Sequence, residues 1–575
     1  MKTTHQGKRA LLGRLGQALG AVTLCGLLIS VAKAQSLPGP ANPGRIEQRF
    51  QPPSVPKAAP EITIPGPEAP PPPEEALNIT FTLHAVVLDN STVYKPADLA
   101  PLTANLIGKK VSLIQIFGLR DALTAKYRRD GYILSQVIVP AQKAVNGVVH
   151  LQAVEGYVAN VSVQGDGHDS RGLINAMAEY IKAARPLTAK VLERYVLLMQ
   201  DIPGISVRTV LRPAGNVPGA ADLDLVVAHR AVTGYASIDD RGSKAIGPLQ
   251  AQAGINFNSL FGRDDLTSLQ VATVSPTKEL QYVSLQHNEI LTAEGARLNL
   301  SATHSHSEPG GALVNLDPLG NSLTLRAGVD YPVIRSPSRT LRIGGAFTSL
   351  DNSVDLLGAQ SSNDKVRYLS LTATYDVADT LLGDSHPAST LINAELSRGL
   401  DILGATRTGS PDLSRANGHS DFTRLYADLT RNQIISGPFG LGFAAAAQVA
   451  SVPLLSAEQF GLGGSRFGRG YEPSELTGDN GLAGSIEARY NLPAGSTSFI
   501  NPQLYFFYDI GEVWNIDPAV GQPKSQSLAS AGPGLRFDLA HQVSVDFELA
   551  EPLTRDIASR GNRHVRLLFS ILARF

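Results

Sequence analysis

The chain has 575 residues, with 18% charged, 43% hydrophobic and a formal net charge of -1. That length suggests several domains, and the near-neutral balance gives no reason to expect nucleic acid as a partner. The single cysteine, Cys25, leaves no disulfide framework and no thiolate metal site.

The first 34 residues read as an export signal. Lys2, Lys8, Arg9 and Arg14 precede the apolar run "ALGAVTLCGLLISVA", and Ala32-Lys33-Ala34 supplies the small-x-small cleavage pattern. Val22-Thr23-Leu24 is a poor lipoprotein box before Cys25. Residues 35–76 are proline-rich, as in "IPGPEAPPPPEEA", and read as a semi-extended linker. Within it "GRIEQRF" has the makings of a short helical turn.

Residues 77–155 and 156–230 read as two copies of one small α/β unit. In the first, "ITFTLHAVVLDN" alternates like a strand. "VSLIQIFGLRDALTAKYRRDGY" sets Ile114, Phe117, Leu119 and Leu123 at near-helical spacing and stops at Gly131. "ILSQVIVPAQ" and "GVVHLQAVEG" are two further strands. In the second, strand "YVANVSVQG", helices "DSRGLINAMAEYIKAA" and "TAKVLERYVLLMQDI", and the pair "ISVRTVLRPAG" and "ADLDLVVAHR" repeat the order.

From about 231 the period changes to two. "SLTLRAGVDYPV" sets Leu323, Leu325, Ala327, Val329 and Tyr331 against Thr324, Arg326, Gly328 and Asp330. In "RHVRLLFSILARF", Val565, Leu567, Phe569, Ile571, Ala573 and Phe575 share one side. Period two sustained over about 345 residues, with Gly, Asn, Asp and Pro between segments, means an antiparallel sheet. A soluble sandwich or propeller would alternate too. A transmembrane barrel is favoured by three features: charges on the other face (Arg536, Asp538, Asp546, Glu548), the export signal, and a terminal aromatic strand residue, Phe575. After the signal no stretch reaches the ~18 to 20 apolar residues of a spanning helix. With ~10-residue strands the length fits about sixteen.

Residues 131–156 then carry a family resemblance. Gly131-Tyr132, Pro140-Ala141-Gln142 and Val154-Glu155-Gly156, followed by Pro203-Gly204, closely resemble the POTRA signature of two-partner secretion transporters, the TpsB or haemolysin-activator (ShlB/FhaC/HecB) family. The resemblance covers nearly all of the chain after the signal. It implies two POTRA domains, then a sixteen-stranded transmembrane antiparallel β-barrel over 231–575, in the bacterial outer membrane with the POTRA domains in the periplasm. It further implies a long loop folded into the barrel with a Val-Arg-Gly-aromatic tip, here Gly468-Arg469-Gly470-Tyr471, departing at the first position. The matching wall motif is Phe507-Tyr508-Asp509-Ile510-Gly511, whose aspartate pairs with the loop arginine in the family. By alternation Asp509 faces away from Phe506 and Tyr508, and so points inward. Asp479-Asn480-Gly481 suits the return into a strand. A water-filled lumen would screen the Arg469–Asp509 pair, leaving it worth ~1 to 3 kcal/mol. Family members carry a long helix plugging the pore; "GRIEQRF" is short and proline-flanked, so whether it plugs stays open.

The implied function is capture of an unfolded exoprotein (an adhesin, cytolysin or haem-binding protein) and its passage outward. Outer-membrane lipids and the barrel-assembly machinery are the other partners, with no nucleic acid. An insertase of the same superfamily and a passive channel are the alternatives; two POTRAs argue against the first, and any POTRA against the second. No catalytic residue, cofactor or metal is expected. The glycine-rich stretch 463–481 lacks the Gly-Lys-Ser/Thr of a P-loop, and no Gly-x-Ser-x-Gly elbow appears. His304 and His306 share a strand face without a third ligand in sight. Inward acidic residues are read as lumen solvation rather than an acid–base pair.

Overall fold

The computed structural model describes residues 37–50, 61–63, 72, 74–167, 170–215, 217–493, 499–540 and 542–575. The export signal, Cys25 and most of the proline-rich stretch lie outside the described residues.

The first α/β unit is assembled from β2 (Thr80–Thr82), β3 (Ala85–Asp89), α1 (Pro96–Thr103), β4 (Lys110–Ser112), α2 (Leu113–Arg129), β5 (Gln136–Ile138) and β6 (Val148–Val154). Its sheet runs β3-β6-β5, with β2 and β4 as a separate pair. The alternating stretch from Ile79 is thus two strands rather than one, and α1 has no counterpart in the sequence reading. Gln115 accepts from the Ser112 amide at 2.8 Å, which caps α2 at its start. Lys126, Arg128 and Arg129 oppose the negative dipole end, and Gly131 stops the helix at φ 93°. The buried face of α2 is Ile116, Leu119, Leu123 and Tyr127, while Ile114 is 39% exposed. Of the expected face, Leu119 and Leu123 are buried, whereas Ile116, Arg120 and Tyr127 take the interior positions expected of Ile114 and Phe117.

The second unit is β7 (Tyr157–Gly165), α3 (Arg171–Ala183), α4 (Ala189–Gln200), β8 (Ile205–Pro213) and β9 (Ala220–His229). Its core holds Ile174, Met177, Ile181, Val196, Met199 and Leu225. Leu134 from the first unit and Ile290 and Ala293 from a barrel turn pack into the same core. The joint to the barrel is also ionic. Asp201 accepts a fork from Arg335 at 2.9 and 3.0 Å and a further bond from Arg342 at 2.8 Å. These contacts fix the second unit on the barrel rim.

Sixteen antiparallel strands close the barrel. They run from β10 (Val232–Asp239) to β20 (Phe439–Ala450), and then, after the two short loop strands β21 (Phe460–Leu462) and β22 (Leu476–Gly478), from β23 (Asn480–Asn491) through β24 (Phe499–Trp514), β25 (Ser525–Leu539) and β26 (Val543–Pro552) to β27 (Arg566–Arg574). Tyr235–Asp239 of β10 pair with Arg574–Ser570 of β27 to complete the circle. Phe575 extends that seam, exchanging backbone bonds with Gly234 at 2.9 and 3.0 Å. Leu323, Leu325, Val329 and Leu567 face outward and exposed, as lipid-facing strand positions require. His304 is outward and exposed, and His306 bonds Asn321 at 2.8 Å. Among the described residues no group of three or more His, Cys, Asp or Glu is placed to hold a metal.

Residues 37–50, read as linker, are packed inside the barrel as two 3-10 turns, Gly39–Ala41 and Pro43–Gln48. Ile46 and Phe50 bury against Ala272, Val274, Leu280 and Tyr282. Arg45 donates to the Gln459 and Ser456 carbonyls at 2.6 and 3.3 Å and to Ser474 Oγ at 3.1 Å. Two apolar residues among prolines give no periodicity, so this packing left no signal in the sequence. Further on, β1 (Glu61–Thr63) adds to the second unit's sheet, parallel to Arg208–Val210 of β8.

The first unit also depends on one side chain at its end. Glu155 accepts from the amides of Thr92 and Val93 at 2.8 and 3.1 Å and from Tyr127 Oη at 3.0 Å. Burial, and then the Glu155 carboxylate, pushes the Tyr127 phenol above its ordinary range. Glu155→Ala is expected to destabilise this unit by ~2 to 3 kcal/mol and to deprotect the Thr92 and Val93 amides in hydrogen exchange. Unchanged protection would show that the carboxylate does not hold the segment.

Candidate functional site: an arginine-tipped loop inside the barrel

The segment 451–479 between β20 and β23 turns inward, and its strands β21 and β22 pair with each other rather than with the wall. Its tip is shaped by glycines where no side chain fits. Gly468 has φ 82°, and a Cβ there would lie 2.5 Å from Leu528. At Gly470 a Cβ would meet the Pro552 nitrogen at 2.9 Å. The tip is thereby pressed against β25 and the end of β26.

Arg469 then reaches across the lumen. Its Nε and Nη2 donate to the two Asp509 oxygens at 3.1 and 3.0 Å. Nη1 donates to Glu487 at 3.1 Å and Glu548 at 3.2 Å, and Nη2 also donates to Ser485 Oγ at 3.0 Å. A guanidinium has five N–H groups, and these five contacts employ all of them. Asp509 accepts in addition from the amides of Gly468 and Arg469 at 3.1 and 3.0 Å. The guanidinium lies over the Phe507 ring at 3.7 Å.

The wall motif meets the loop at each inward position. Phe507 underlies the arginine, Asp509 pairs with it, and Gly511 leaves room for Leu462, which would lie 2.6 Å from a Cβ there. Phe506 and Tyr508 point outward and are exposed. Tyr471 is fully buried, accepts from the amides of Thr554 and Arg555 through its hydroxyl, and receives Arg566 on its carbonyl at 2.8 Å. The tip is thus tied to the loop after β26 as well as to the wall.

The pair is not screened as expected. Asp509 is 0% and Glu548 2% exposed, because the inturned loop fills the space that sequence reasoning left to water. Charge balance comes from a wider set. Arg241 pairs with Asp546 and Glu548, while Arg489 and Arg536 pair with Glu487. Four guanidinium groups (Arg241, Arg469, Arg489, Arg536) therefore face four carboxylates (Glu487, Asp509, Asp546, Glu548). Asp546 and Glu548 stood out in the sequence as inward charges; Glu487 and Arg241 did not, since nothing in period two says which inward residues meet.

The POTRA-type residues are elsewhere and act locally. Gln142 brackets His150, accepting from its amide at 2.8 Å and donating to its carbonyl at 2.5 Å, so its side chain extends the sheet beside β6. Pro140 lies just beyond β5, and Tyr132 packs edge-on to Tyr127 with centroids 5.9 Å apart. A Cβ on Gly156 would sit 2.5 Å from the Leu134 carbonyl oxygen. Gly204 has φ 73° and accepts from the Arg230 amide at 2.8 Å, where the second unit passes into the barrel. These residues and the loop tip form two separate groups.

A closed barrel entered by a folded-in loop and preceded by two α/β units defines a class of β-barrel membrane transporters with POTRA domains. Comparison with known proteins agrees. Residues 219–537 match the model of the haemolysin secretion/activation protein ShlB/FhaC/HecB, and residues 81–156 match the ShlB-type POTRA domain. The chain belongs to the ShlB/FhaC/HecB haemolysin secretion/activation family. It is 25% identical over 494 residues to the heme/hemopexin transporter protein HuxB of Haemophilus influenzae strain 86-028NP, covering 84% of this chain and 85% of that protein. It is 23% identical over 412 residues to the outer membrane transporter CdiB of Dickeya dadantii, covering 70% and 71%. The solved structure of CdiB from Escherichia coli superposes with a TM-score of 0.69 over 100% of both chains at 19% identity, a likeness of fold. The chain is accordingly an outer-membrane barrel with POTRA domains on the periplasmic side.

With the charges desolvated, Arg469→Ala leaves one uncompensated carboxylate and is expected to cost ~3 to 5 kcal/mol of loop anchoring. That is enough to change loop occupancy by more than a hundredfold. Secretion should fall while barrel levels stay normal. Asp509→Ala should give a related defect, and the double variant, which restores charge parity, should be no worse than Arg469→Ala. Lysine at 469 supplies three donors instead of five and should rescue only in part. A double-mutant cycle on secretion checks this; fully additive defects would mean that the two residues act separately.

Proposed function

We propose that this chain captures an unfolded exoprotein through its periplasmic POTRA domains and passes it outward through the barrel, as one partner of a two-partner secretion pair. The observation that carries the reading is the combination of two POTRA-type units, seated on the rim through Asp201, with a barrel whose lumen holds its own inturned loop and N-terminal turns. A passive channel has no use for either feature. We take residues 77–155 and 156–230 as the two capture units and 231–575 as the conduit. Arg469, Gly470 and Tyr471 with Phe507, Asp509 and Gly511 form the anchor that sets the loop's position.

The chemistry is transport rather than catalysis. No nucleotide is available in the periplasm, so the favourable free energy comes from folding of the client outside. The POTRA sheets offer strand edges, where an extended client adds by backbone hydrogen bonds. Among clients, a haem-binding exoprotein is the first to test, because one relative matched over 84% of this chain is named a heme/hemopexin transporter. Adhesins and cytolysins follow.

The test is co-expression with a candidate exoprotein client, sought first in the neighbouring coding region, read as client in the medium against client in the cell. Deleting residues 77–155 should abolish secretion while the barrel remains in the outer membrane and heat-modifiable on gels. Normal secretion by the deletion variant would remove the capture role, and recovery of the intact chain as a soluble periplasmic protein would remove the whole reading.

A further inference from the structure

At the outer mouth, a second carboxylate is buried among loops. Asp479 stands at the end of the inturned segment, immediately before β23, and is 0% exposed. It receives Arg415, the Leu454 amide at 2.8 Å, the Ile516 amide at 2.8 Å and Gln459 Nε2 at 3.4 Å. Those donors come from three loops. Arg415 lies in the segment 400–422, Leu454 and Gln459 in the inbound stem of the inturned loop, and Ile516 just after β24. Arg415 also donates to the Leu454 carbonyl at 2.6 Å, which cross-links the same two loops again.

The surroundings form a roof. Phe422, Leu454, Leu455 and Ala457 are buried together, with Leu413, Val452 and Ile516 against them. Around the edge, the Ser456 amide donates to Ser414 Oγ at 3.0 Å, the His419 amide to the Pro453 carbonyl at 2.9 Å, and Asn417 to the Asp517 carbonyl at 2.5 Å. Asn480 takes the Ala450 amide at 2.8 Å, so both ends of the inturned loop are pinned at one level. This level is distinct from the Arg469 anchor. Asp479 and Ser485 are six residue steps apart along β23, a rise of about 20 Å.

We infer that Asp479 and Arg415 are positioning residues of the translocation exit, holding three extracellular loops closed over the lumen until a client passes. The tip anchor fixes where the loop ends, whereas this pair fixes whether its stems and neighbours can part. An unfolded chain leaving the lumen has to cross the line that joins 415, 454 and 516. The carboxylate is suited to that task because its bonds join the inturned loop that carries it to the segment 400–422 and to the turn after β24, so its release loosens both junctions at once. The inference rests on the barrel being the conduit, but its first test needs no client.

Purified full-length protein in planar bilayers, with potassium chloride as the probe, should show the release directly. Asp479→Asn keeps the shape and removes the charge, and Arg415→Ala removes the partner. Either is expected to raise open probability about tenfold or more over the unaltered chain. Unchanged currents from a heat-modifiable, assembled Asp479→Asn barrel would overturn the inference. A second arm covers failure of that variant to assemble. With Cys25→Ser, the pair Ser414→Cys and Ser456→Cys is bridged on cells by a short bis-methanethiosulfonate that dithiothreitol cleaves. Secretion should stop on bridging and return on cleavage, a reversal that a folding defect would not give. Secretion that continues through a bridged roof would overturn the inference, while the loss of secretion in every state, bridged or not, would count against the conduit reading itself.

Discussion

One guanidinium with all five donors engaged determines how the interior of this barrel is filled. A loop folded into a lumen gives up chain entropy at every residue, which the burial of Phe460, Leu462, Phe467, Tyr471 and Leu476 offsets without fixing where its tip lies. Arg469 compensates by meeting three carboxylates and a serine at once, in a fork geometry that a point charge does not reproduce. Once the tip is set, the position of everything else inside follows. Leu462 lies in the space left by Gly511, and Tyr471 closes on the loop after β26. The loop's stem then presents the Gln459 and Ser456 carbonyls that Arg45 of the N-terminal turns requires.

That last contact joins the two ends of the machine. The N-terminal turns sit against the inturned loop, and ten residues later in the chain β1 lies along β8 of the second POTRA unit. The same unit shares its core with a barrel turn through Ile290 and holds the rim through Asp201. Capture units and lumen are therefore connected by two routes, one through the packed rim and one through the chain's own N-terminal segment. A displacement at the β8 edge has a covalent path to the N-terminal turns inside the barrel.

The parts of this arrangement that were legible in the sequence are those with a period. Alternation over the last three-fifths of the chain identified the barrel, and which face was wet followed from charges such as Asp546 and Glu548. The second unit's helices were equally plain. In the first unit the count of apolar residues found Leu119 and Leu123 but missed the rest of the buried face, because Arg120 lies over the Phe117 ring at 4.8 Å and Tyr127 is wholly buried, so part of the interior is lined by residues that counting treats as exterior. The loop arginine and its aspartate were recognisable only by resemblance. Their dry surroundings were not, because desolvation there arises from three segments far apart in sequence closing on one another. Asp479 is the sharpest case: in "TGDNG" it reads as a turn former, and only the convergence of three loops makes it a buried hub.

The contacts inside this lumen combine apolar clusters with buried ion pairs, and the energetics of reopening give the ion pairs a role of their own. Burying a charge costs its hydration, and a paired guanidinium and carboxylate recover that cost only while their geometry holds. When the contact parts and water enters, both groups regain solvation, so the open state is penalised far less than the loss of five hydrogen bonds implies. An apolar seal has no such return, since each opening would expose its full area to water. Ion pairs within such a packed interior bring its closed and open states closer together, and a client shifts the balance by differential binding. On the reading proposed above, in which folding of the client outside supplies the free energy, that small gap is the condition under which such folding can drive the passage.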